Sequence, residues 1–370
     1  MAIGAGDLLN DLLKATSRSF YLTLRMLPGA IRPQIGLAYL LARTTDTIAD
    51  TEIVPVADRL EALGQLRARI LGKSAARLDL GRFARVDKSA GRAGAAERTL
   101  LDQVEEALAA LSGFSPHDQQ LIREVLATIT SGQELDLKRF ESGRAGSPLP
   151  AAEPAKDARR AADCAPYQNR IVSLQTDAEL NDYTYRVAGC VGEFWTKLCR
   201  AHLFPNARLD DARLLADGVR FGKGLQLVNI LRDLSADLRR GRCYLPADQL
   251  AEVGLAPADL LSPANELKLR PVYDACLDTA QAHLTAGWAY TNALPRGQVR
   301  VRLACAWPIL IGVKTLAKLR AGPVLDPQRR IKVSRAEVRG ILLSSVIRYP
   351  LPNAWRRLFA SSTEKTQSNS

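Results

Sequence analysis

Apolar residues recur along most of the chain at intervals of three and four, which is the spacing of one face of an α-helix. Helix-start signals recur with them. Ser115 and Ser262 each precede a proline, and Thr176 stands three residues before Glu179, as in a capping box. No run of alternating β-branched residues indicates a sheet, and no repeat of fixed period is present. The pattern predicts an all-α protein.

Two segments interrupt the helical pattern. Residues 73–97 are basic and show little apolar periodicity, and residues 141–169 are rich in proline, alanine and charge. Because the helical pattern resumes after each segment, we interpret them as mobile insertions. The resulting prediction is one helical domain over residues 1–345, followed by a basic C-terminal tail over residues 346–370.

Composition adds a strongly basic charge to this picture. The 370 residues hold 51 Lys and Arg against 39 Asp and Glu, a net charge of +12. This charge suits a polyanionic partner or an ordinary solvated basic surface. The six cysteines form no CxxC pair, which argues against a zinc site and a disulfide framework and favours reduced thiols. With no signal-peptide pattern, and an apolar stretch at 303–313 too short for a bilayer, a cytoplasmic location is expected.

The segment YLLARTTDTIAD carries the first candidate chemistry. Tyr39, Arg43, Asp46 and Asp50 step by four, three and four residues, so they share one face of a helix. The surrounding helix is apolar, and two buried carboxylates one turn apart would repel each other without a cation. Oxygen ligands of this kind suit Mg²⁺, which also binds substrate phosphates. The alternative is a surface helix with two solvated aspartates.

A second acidic pair, Asp233 and Asp237, has the same four-residue spacing within GLQLVNILRDLSADLRRGRCYLP. Its polar neighbours are Gln226, Asn229, Arg232, Arg239, Arg240 and Arg242. Two such pairs predict two acidic clusters facing each other across a helical cavity. Mg²⁺ would join the clusters to a diphosphate, and arginines would bind the remaining phosphate oxygens. The alternative, a helix C-terminus with favourable cations, explains Arg239 and Arg240 but not the acidic pair.

The segment DYTYRVAGCVGEFW combines a tyrosine with small residues. Tyr183 and Val187 share a helical face, while Ala188, Gly189 and Gly192 would let a helix or a ligand approach closely. We interpret Gly192 as helix packing. A tyrosine beside the acidic clusters could relay a proton or stabilise a cation through its ring face.

With SRSFY at residues 17–21, these segments give four motifs in a familiar order. Over residues 10–320 the chain resembles the squalene/phytoene synthase family, the head-to-head trans-isoprenyl diphosphate synthases. Within the family, DTIAD and YxxxVAGxVG resemble the motifs of squalene synthases. Arg186 departs from the pattern, because some members have an aromatic residue there.

The resemblance implies an all-α terpenoid synthase fold around a central cavity. It implies that Asp46, Asp50, Asp233 and Asp237 bind Mg²⁺ and diphosphate, and that Tyr183 is the general base or relay. Substrate-binding residues would be Ser17, Phe20, Tyr39, Arg43, Val187, Gln226, Asn229 and Arg232. Ser17, Asn229 and Arg232 fall at positions associated with NADPH, and the candidate cavity-lining residues are Phe20, Tyr183 and Trp307.

The implied reaction is that of a squalene synthase. Two farnesyl diphosphates would form presqualene diphosphate with Mg²⁺, and hydride from NADPH would then complete a reductive rearrangement to squalene. The alternatives are presqualene diphosphate, dehydrosqualene or phytoene as the product, without NADPH. Because no GxGxxG motif is present, an NADPH site would not be a Rossmann site.

Two other classes of function are disfavoured. A non-catalytic relative would be free to lose the four carboxylates, and all four are present. A nucleic-acid binder would present a basic stripe with interleaved aromatics, whereas these arginines flank an acidic motif. A monomer is the starting expectation.

The C-terminal stretch VIRYPLPNAWRRLF suggests peripheral contact with an anionic membrane. In this interpretation apolar side chains enter the bilayer interface, and arginines meet the headgroups. The apolar set is Ile347, Tyr349, Leu351, Trp355, Leu358 and Phe359, and the basic set is Arg348, Arg356 and Arg357. The alternative is that this stretch packs back on the body of the protein.

Overall fold

The structure is a computed structural model that describes residues 24–84, 91–142 and 171–364, and it confirms the all-α prediction. The first half of the described chain contains α1 (Arg32–Asp50), α2 (Val56–Ile70), α3 (Gly91–Asp102), α4 (Val104–Ser112) and α5 (Pro116–Ser142). The central motifs occupy α6 (Asp177–Thr184), a π-helical turn (Tyr185–Gly189), α7 (Cys190–His202) and α8 (Asp211–Arg239). The remaining α-helices are α9 (Ala247–Glu252), α10 (Glu266–Ala293), α11 (Val299–Ala321), α12 (Arg335–Arg348) and α13 (Pro352–Glu364). Two 3₁₀ turns, Pro257–Leu261 and Pro263–Asn265, precede α10.

A two-stranded parallel pair joins segments that the sequence pattern did not connect. Strand β1 (Val172–Ser173) pairs with β2 (Arg242–Cys243), and Val172 is in register with Arg242. The backbone N–H of Val172 donates to the carbonyl oxygen of Gly241 at 3.0 Å. This pairing fixes the chain immediately after α8, at the end of the second acidic motif.

Two apolar clusters form the core, and α8 lies where they meet. One cluster gathers side chains from α1, α2, α4, α5 and α7, and the other gathers side chains from α8, α10 and α11. Helix α8 packs most extensively against α10 and also contacts α7 and the π-helical turn. The buried Tyr273 hydroxyl of α10 donates to the carbonyl oxygen of Leu231 in α8 at 2.9 Å. The acidic motif of α8 therefore sits on a helix held from both sides.

Small residues bring the π-helical turn and α7 unusually close to α8. A Cβ atom built on Gly192 would lie 1.9 Å from the carbonyl oxygen of Gly218, and one on Gly222 would lie 2.2 Å from that of Ala188. Only glycine fits between backbones at such distances. The interpretation of Gly192 as helix packing is confirmed, and this packing places the Tyr183 segment beside the second acidic motif.

The structure confirms the helix starts predicted at Ser115 and Thr176, but it differs from the prediction in the Glu179 contact and at Ser262. Ser115 accepts from the backbone N–H of Asp118 at 3.1 Å, and Thr176 accepts from that of Glu179 at 3.3 Å. The Glu179 carboxylate, however, accepts from the backbone of Gln175 and not from that of Thr176. Ser262 precedes a 3₁₀ turn, and its side chain caps nothing.

The two interrupting segments are only partly covered by the structure. Residues 73–84 are irregular, and helix α3 already begins at Gly91 within the first segment. Helix α5 extends to Ser142, inside the second segment, and residues 143–170 lie outside the described residues. The mobility predicted for both segments stays a prediction.

The C-terminal stretch packs on the body of the protein, as the alternative interpretation held. Trp355 and Leu358 are buried, and the Trp355 ring stacks on Trp288 of α10 at 5.1 Å between centroids. The Tyr349 hydroxyl donates to the carbonyl oxygen of Arg296 at 2.6 Å. The prediction that Trp355 and Leu358 enter a membrane is therefore wrong, because both fill the core. The predicted boundary before residue 346 falls inside α12.

Two further sequence expectations concern thiols and membrane spans. Within the described ranges the cysteines, Cys190, Cys199, Cys243, Cys276 and Cys305, are buried and free. In the same ranges, no helix has both the length and the hydropathy required to cross a bilayer.

Gly192→Ala should destabilise the protein by at least about 2 kcal/mol, because the new methyl group collides with rigid backbone. The matched control is Gly64→Ala in α2, where an added Cβ meets no atom within 4 Å. That control should be neutral or stabilising by up to ~1 kcal/mol, because alanine is the better helix former. Thermal unfolding of both variants checks this. Equal stability of the two would contradict the close-packing account.

Candidate active site

The first acidic motif lies on the last three turns of α1. Tyr39, Arg43, Asp46 and Asp50 follow one another along one face, while Leu40 and other apolar side chains fill the opposite face. The Arg43 guanidinium lies 3.8 Å from the Asp46 carboxylate. Burial among protein atoms raises the pKa of Asp46 to about 6, and the neighbouring charge of Asp50 adds to the rise. Burial likewise raises the pKa of Asp50. The nearby arginines therefore do not fully offset the cost of ionising Asp46 and Asp50, as expected for carboxylates that bind a cation.

Two further helices contribute polar groups to this motif. The Gln133 side chain of α5 donates to Oδ1 of Asp46, and Glu97 of α3 accepts from Arg43 at 2.6 Å. Arg43, Asp50 and Glu97 line a small pocket of about 200 Å³. The motif is therefore open to a ligand on one side and fixed by α5 on the other. Neither Gln133 nor Glu97 was identified from the sequence.

The second acidic motif lies near the end of α8. Asp233 forms a two-point contact with Arg232, with Nε to Oδ1 at 3.0 Å and Nη2 to Oδ2 at 2.5 Å. Burial raises the pKa of Asp237 to about 6, the charge of Asp233 raises it further, and Arg240 opposes the rise. Each acidic pair therefore contains one carboxylate, Asp46 or Asp237, whose charged form is destabilised by its surroundings.

A glycine turn places Arg242 between the two motifs. Gly241 has a φ of 75°, and its backbone N–H returns to the Leu238 carbonyl at 2.9 Å, which ends α8 in a left-handed cap. The chain then enters β2, where Arg242 lowers the pKa of three carboxyls that burial raises: Asp50 of α1, Asp136 of α5 and Asp237 of α8. One guanidinium therefore acts on carboxylates from three helices. Because Arg240 and Arg242 at the end of the second motif act on Asp50 of the first, the two motifs lie in one electrostatic neighbourhood. That the two pairs face each other across a cavity stays a prediction.

Tyr183 lies in a buried aromatic and acidic cluster. Its ring stacks on Tyr244 with centroids 4.8 Å apart, and the Tyr244 hydroxyl donates to Oδ2 of Asp136 at 3.4 Å. Tyr183 also lowers the pKa of this carboxyl, and the charge of Asp136 raises that of Tyr183. Within the described residues the other oxygen of Asp136, Oδ1, is buried without a hydrogen-bond partner. The cluster therefore offers a proton acceptor directly beside the tyrosine.

Burial dominates the acid–base properties of this cluster. It raises the pKa of Asp136 to about 7, although Arg242 and Arg139 counteract it. Burial and the Asp136 charge together raise the pKa of Tyr183 well above its ordinary value. Tyr183 consequently stays protonated near neutral pH, whereas Asp136 can gain or lose a proton there. Sequence reasoning missed Asp136, although it lies on the same buried face of α5 as Gln133 and Phe140.

The second motif opens into a cavity of about 440 Å³. Its acidic and aromatic walls include Asp233, Asp237, Tyr183 and Tyr244. Five arginines line it: Arg232, Arg239, Arg240, Arg329 and Arg330. The last two come from the loop between α11 and α12, which the sequence pattern did not connect with the site. A cavity with this ring of guanidinium groups suits a ligand that carries several phosphate oxygens.

The donor set fits a divalent cation that shares its ligands with a substrate. Among the described residues, no three carboxylate, imidazole or thiol groups converge on one point. Each acidic pair offers two carboxylates at most, and Mg²⁺ commonly completes such a site with water and substrate phosphates. The residues that would hold it are Asp46 with Asp50, and Asp233 with Asp237.

The structure places some of the other predicted site residues in the cavity and others elsewhere. Gln226 and Asn229 line the 440 Å³ cavity together with Arg232. Val187 instead packs near Gly132 of α5 and does not line this cavity. Ser17 and Phe20 lie outside the described residues. The prediction that Trp307 lines the cavity is wrong. Its ring is buried in the core, and its Nε1 donates to Ser345 at 2.8 Å.

Comparison with known proteins agrees with this arrangement. The squalene/phytoene synthase family profile matches residues 13–337. The chain belongs to the squalene/phytoene synthase family. Members of this family are prenyl transferases of isoprenoid biosynthesis that join isoprenyl diphosphates head to head.

Several curated relatives of this family member are phytoene synthases. A bifunctional lycopene cyclase/phytoene synthase of Arthroderma gypseum is 28% identical over 73% of this chain and 39% of its own length. Phytoene synthase 2, chloroplastic, of Solanum lycopersicum is 27% identical over 55% of this chain and 66% of its own length. A 15-cis-phytoene synthase of Enterobacter agglomerans is 35% identical over 37% of this chain and 41% of its own. The chain spans less than half the length of the bifunctional relatives.

Solved structures similar to this family member share its fold. TcSQS in complex with the ligand E5700 superposes with a TM-score of 0.71 at 19% identity, and the match covers 99% of both chains. The squalene synthase HpnC of Alicyclobacillus acidocaldarius gives a TM-score of 0.57 at 19% identity, over 86% of this chain and 94% of its own. The predicted terpenoid synthase fold is thereby confirmed.

Asp136→Asn should stabilise the protein at alkaline pH. Folding raises the pKa of this carboxyl from 3.8 to about 7, so the folded chain binds the proton more tightly than the unfolded chain. The stability that this proton supplies is complete below about pH 4 and is lost as the pH rises through about 7. Asparagine has no proton to lose, so the variant should gain on the parent over that interval, by up to ~4 kcal/mol at about pH 8.

Thermal unfolding with EDTA at about pH 4.5 and about pH 8 measures this difference. Asp278→Asn, at a carboxylate with 72% of its side chain exposed and paired with Arg320, is the control for removal of a carboxylate outside the buried cluster. A stability difference between Asp136→Asn and the parent that is the same at both pH values would contradict the burial of a titrating carboxyl.

Proposed function

We propose that this protein joins two allylic prenyl diphosphates head to head, with farnesyl diphosphate as the substrate and Mg²⁺ as the cofactor. The observation that carries the proposal is that Arg242 acts on a carboxylate of each DxxxD pair, and that the second pair opens into an arginine-lined cavity that contains Tyr183. Ionising an allylic diphosphate separates charge, so a catalyst must hold the leaving group and protect the cation. In this proposal, the described residues would both hold the leaving diphosphate and protect the carbocation.

The diphosphate would bind between the acidic pairs and the arginines. Bound Mg²⁺ would supply the positive charge that Asp46, Asp50, Asp233 and Asp237 lack, and would neutralise the leaving diphosphate. Arg43 and Arg232 are held by Glu97 and Asp233. Arg329 and Arg330 line the same cavity and lie within 4.0 Å of no carboxylate of the described residues. These guanidinium groups would bind the remaining phosphate oxygens with directed hydrogen bonds.

The coupling step also releases a proton. Two prenyl diphosphates give one cyclopropyl diphosphate, one free diphosphate and one proton, as one carbon–oxygen bond breaks and new carbon–carbon bonds form. Because its pKa is far above neutral, Tyr183 would not take this proton as a phenolate. We infer that its hydroxyl passes the proton to Asp136, whose pKa of about 7 suits a general base. Of the two roles that the sequence analysis left open for Tyr183, general base and relay, Asp136 takes the first and Tyr183 keeps the second.

Aromatic ring faces would protect the carbocation. The stacked rings of Tyr183 and Tyr244 line the cavity, and such faces attract a cation without attacking it. Water near the cation would quench it early, so exclusion of water from the cavity decides the product.

The finer proposal is that the product is squalene, formed by hydride transfer from NADPH. Gln226, Asn229 and Arg232 line the cavity next to the acidic motif, where a nicotinamide could reach the cation. The second candidate is a phytoene-type reaction, in which the cation loses a proton instead, and the names of the curated relatives favour it.

One product analysis separates these candidates. The full chain is incubated with Mg²⁺ and either farnesyl or geranylgeranyl diphosphate, with and without NADPH, and the extract is analysed by mass spectrometry. Squalene that forms only with farnesyl diphosphate and NADPH supports the first candidate. Phytoene formed without NADPH supports the second, and no coupled product under any condition contradicts both.

Asp46→Asn and Asp233→Asn should each reduce coupling by at least about 1000-fold, because each removes a charge that would hold the metal beside the leaving group. The measurement is diphosphate release, with the exposed Asp278→Asn as the control for removal of a carboxylate. A loss of only a few fold in either variant would contradict the Mg²⁺ assignment.

Tyr183→Phe should slow the first condensation by about 100-fold or more while the protein stays folded, because only the relaying hydroxyl is lost. Asp136→Asn should cause a similar loss. Tyr273→Phe removes a buried hydroxyl outside the cavity and should keep the normal rate. The measurement is the rate of presqualene diphosphate formation. Formation at the normal rate by Tyr183→Phe would show that the relay is wrong.

A further inference from the structure

We propose that the outer face of α12 is a docking surface for an anionic lipid bilayer. Four apolar side chains form this surface, which we call the α12 face: Leu343, Val346, Ile347 and Leu351. Their exposed fractions are 64%, 50%, 62% and 59%. This set differs from the one predicted from sequence, since Trp355 and Leu358 are in the core.

Packing of the opposite side of α12 fixes which side chains face outward. Ser345 is fully buried and accepts a hydrogen bond from Trp307 of α11 at 2.8 Å. Glu337, one turn from the start of the helix, binds Lys314 and Lys318 of α11 at 3.2 and 2.7 Å. With both ends of the inner side attached to α11, positions 343, 346 and 347 point away from the body, and Leu351 continues their row beyond the helix end. The α12 face is therefore a consequence of how the helix is anchored.

The charge of the segment that carries the α12 face is almost entirely positive. Residues 335–361 hold one acidic residue, Glu337, and the two lysines of α11 neutralise it. The same stretch holds five arginines: Arg335, Arg339, Arg348, Arg356 and Arg357. In the described part of the chain, no carboxylate lies within 4.0 Å of any of them. Exposed leucine, valine and isoleucine with flanking arginines match the acyl and headgroup layers of an anionic membrane.

This charge pattern favours a bilayer over the other partners that an apolar patch can take. In a symmetric dimer the same face of two copies would meet, which would bring ten arginines together without carboxylates to oppose them. A nucleic acid would satisfy the arginines but leave the apolar row unpaired. An anionic bilayer satisfies both features.

The α12 face also lies close to the cavity along the chain. Pro327, Arg329, Arg330 and Ile331 line the 440 Å³ cavity, and α12 begins at Arg335, four residues later. A bilayer against α12 would therefore lie near the loop that forms one cavity wall. Binding to lipid does not depend on the proposed chemistry, so the two proposals fail independently.

The test is co-sedimentation of the full chain with vesicles of phosphatidylcholine, with and without phosphatidylglycerol. The parent protein should bind only the anionic vesicles, and added salt should weaken the binding. Leu343→Ser with Ile347→Ser should reduce the partition coefficient at least about tenfold, because two side chains no longer enter the interface. Arg339→Gln with Arg356→Gln should reduce it by about fivefold for each charge lost.

Matched controls separate this surface from general charge and hydrophobicity. Leu267→Ser changes a leucine with 86% exposure at the start of α10, and Arg208→Gln removes an exposed arginine before α8. Both should bind vesicles as the parent does, and thermal unfolding should show all variants folded. Parent-like binding by the Leu343 and Ile347 double variant, or equal binding to neutral vesicles, overturns the proposal. A dimer in size-exclusion chromatography that this double variant abolishes, with no vesicle binding by the parent, also overturns it and assigns the face to a second copy.

Discussion

The site depends on Arg242, one guanidinium that acts on carboxylates from three helices. Carboxylates from α1, α5 and α8 lie within the electrostatic reach of this guanidinium, and partial loss of solvent raises the pKa of Asp50, Asp136 and Asp237 alike. Arg242 lowers all three, and it reaches them because Gly241 reverses the chain and β2 fixes the strand that follows. Arg43 and Arg232 contact Asp46 and Asp233, yet the pKa values of Asp46, Asp50 and Asp237 are still raised. Under the proposed function, these carboxylates would bind a divalent cation and, through it, diphosphate.

Close helix packing delivers the tyrosine to this charged region. Gly192 and Gly222 let the π-helical turn and α7 lie against the backbone of α8. Tyr183, just before the turn, thereby stacks on Tyr244 within reach of Asp136. π-helical turns inside α-helices are frequent at functional sites, where the extra residue redirects side chains. The packing of small residues and the position of Tyr183, the proposed relay, are therefore one structural feature.

Burial of Asp136 lowers the stability of the fold, and it also gives this carboxyl the pKa that the proposed chemistry uses. Asp136 would be easier to bury as asparagine, since its charged form lacks full compensation and one of its oxygens has no hydrogen-bond partner among the described residues. A carboxyl with a pKa of about 7 is, in return, able to accept and release a proton at neutral pH. The same site thus combines lower stability at high pH with a poised proton acceptor, a compromise common to active sites.

The sequence by itself determined the features that arise from short-range spacing. The helical class, the two DxxxD pairs and the small residues of the Tyr183 segment follow from periods of three and four, and a helix places such residues on one face whatever surrounds it. Tertiary structure alone decided what meets across the fold. Gln133, Asp136 and Glu97 are ordinary polar residues of amphipathic helices until α5 and α3 pack against α1. From the sequence, Trp307 and Trp355 are equally suited to a cavity, a membrane or a core, because the hydrophobic effect is non-directional and does not specify the partner surface. Their burial depended on which helices packed against them, and that packing is also what left the α12 face exposed.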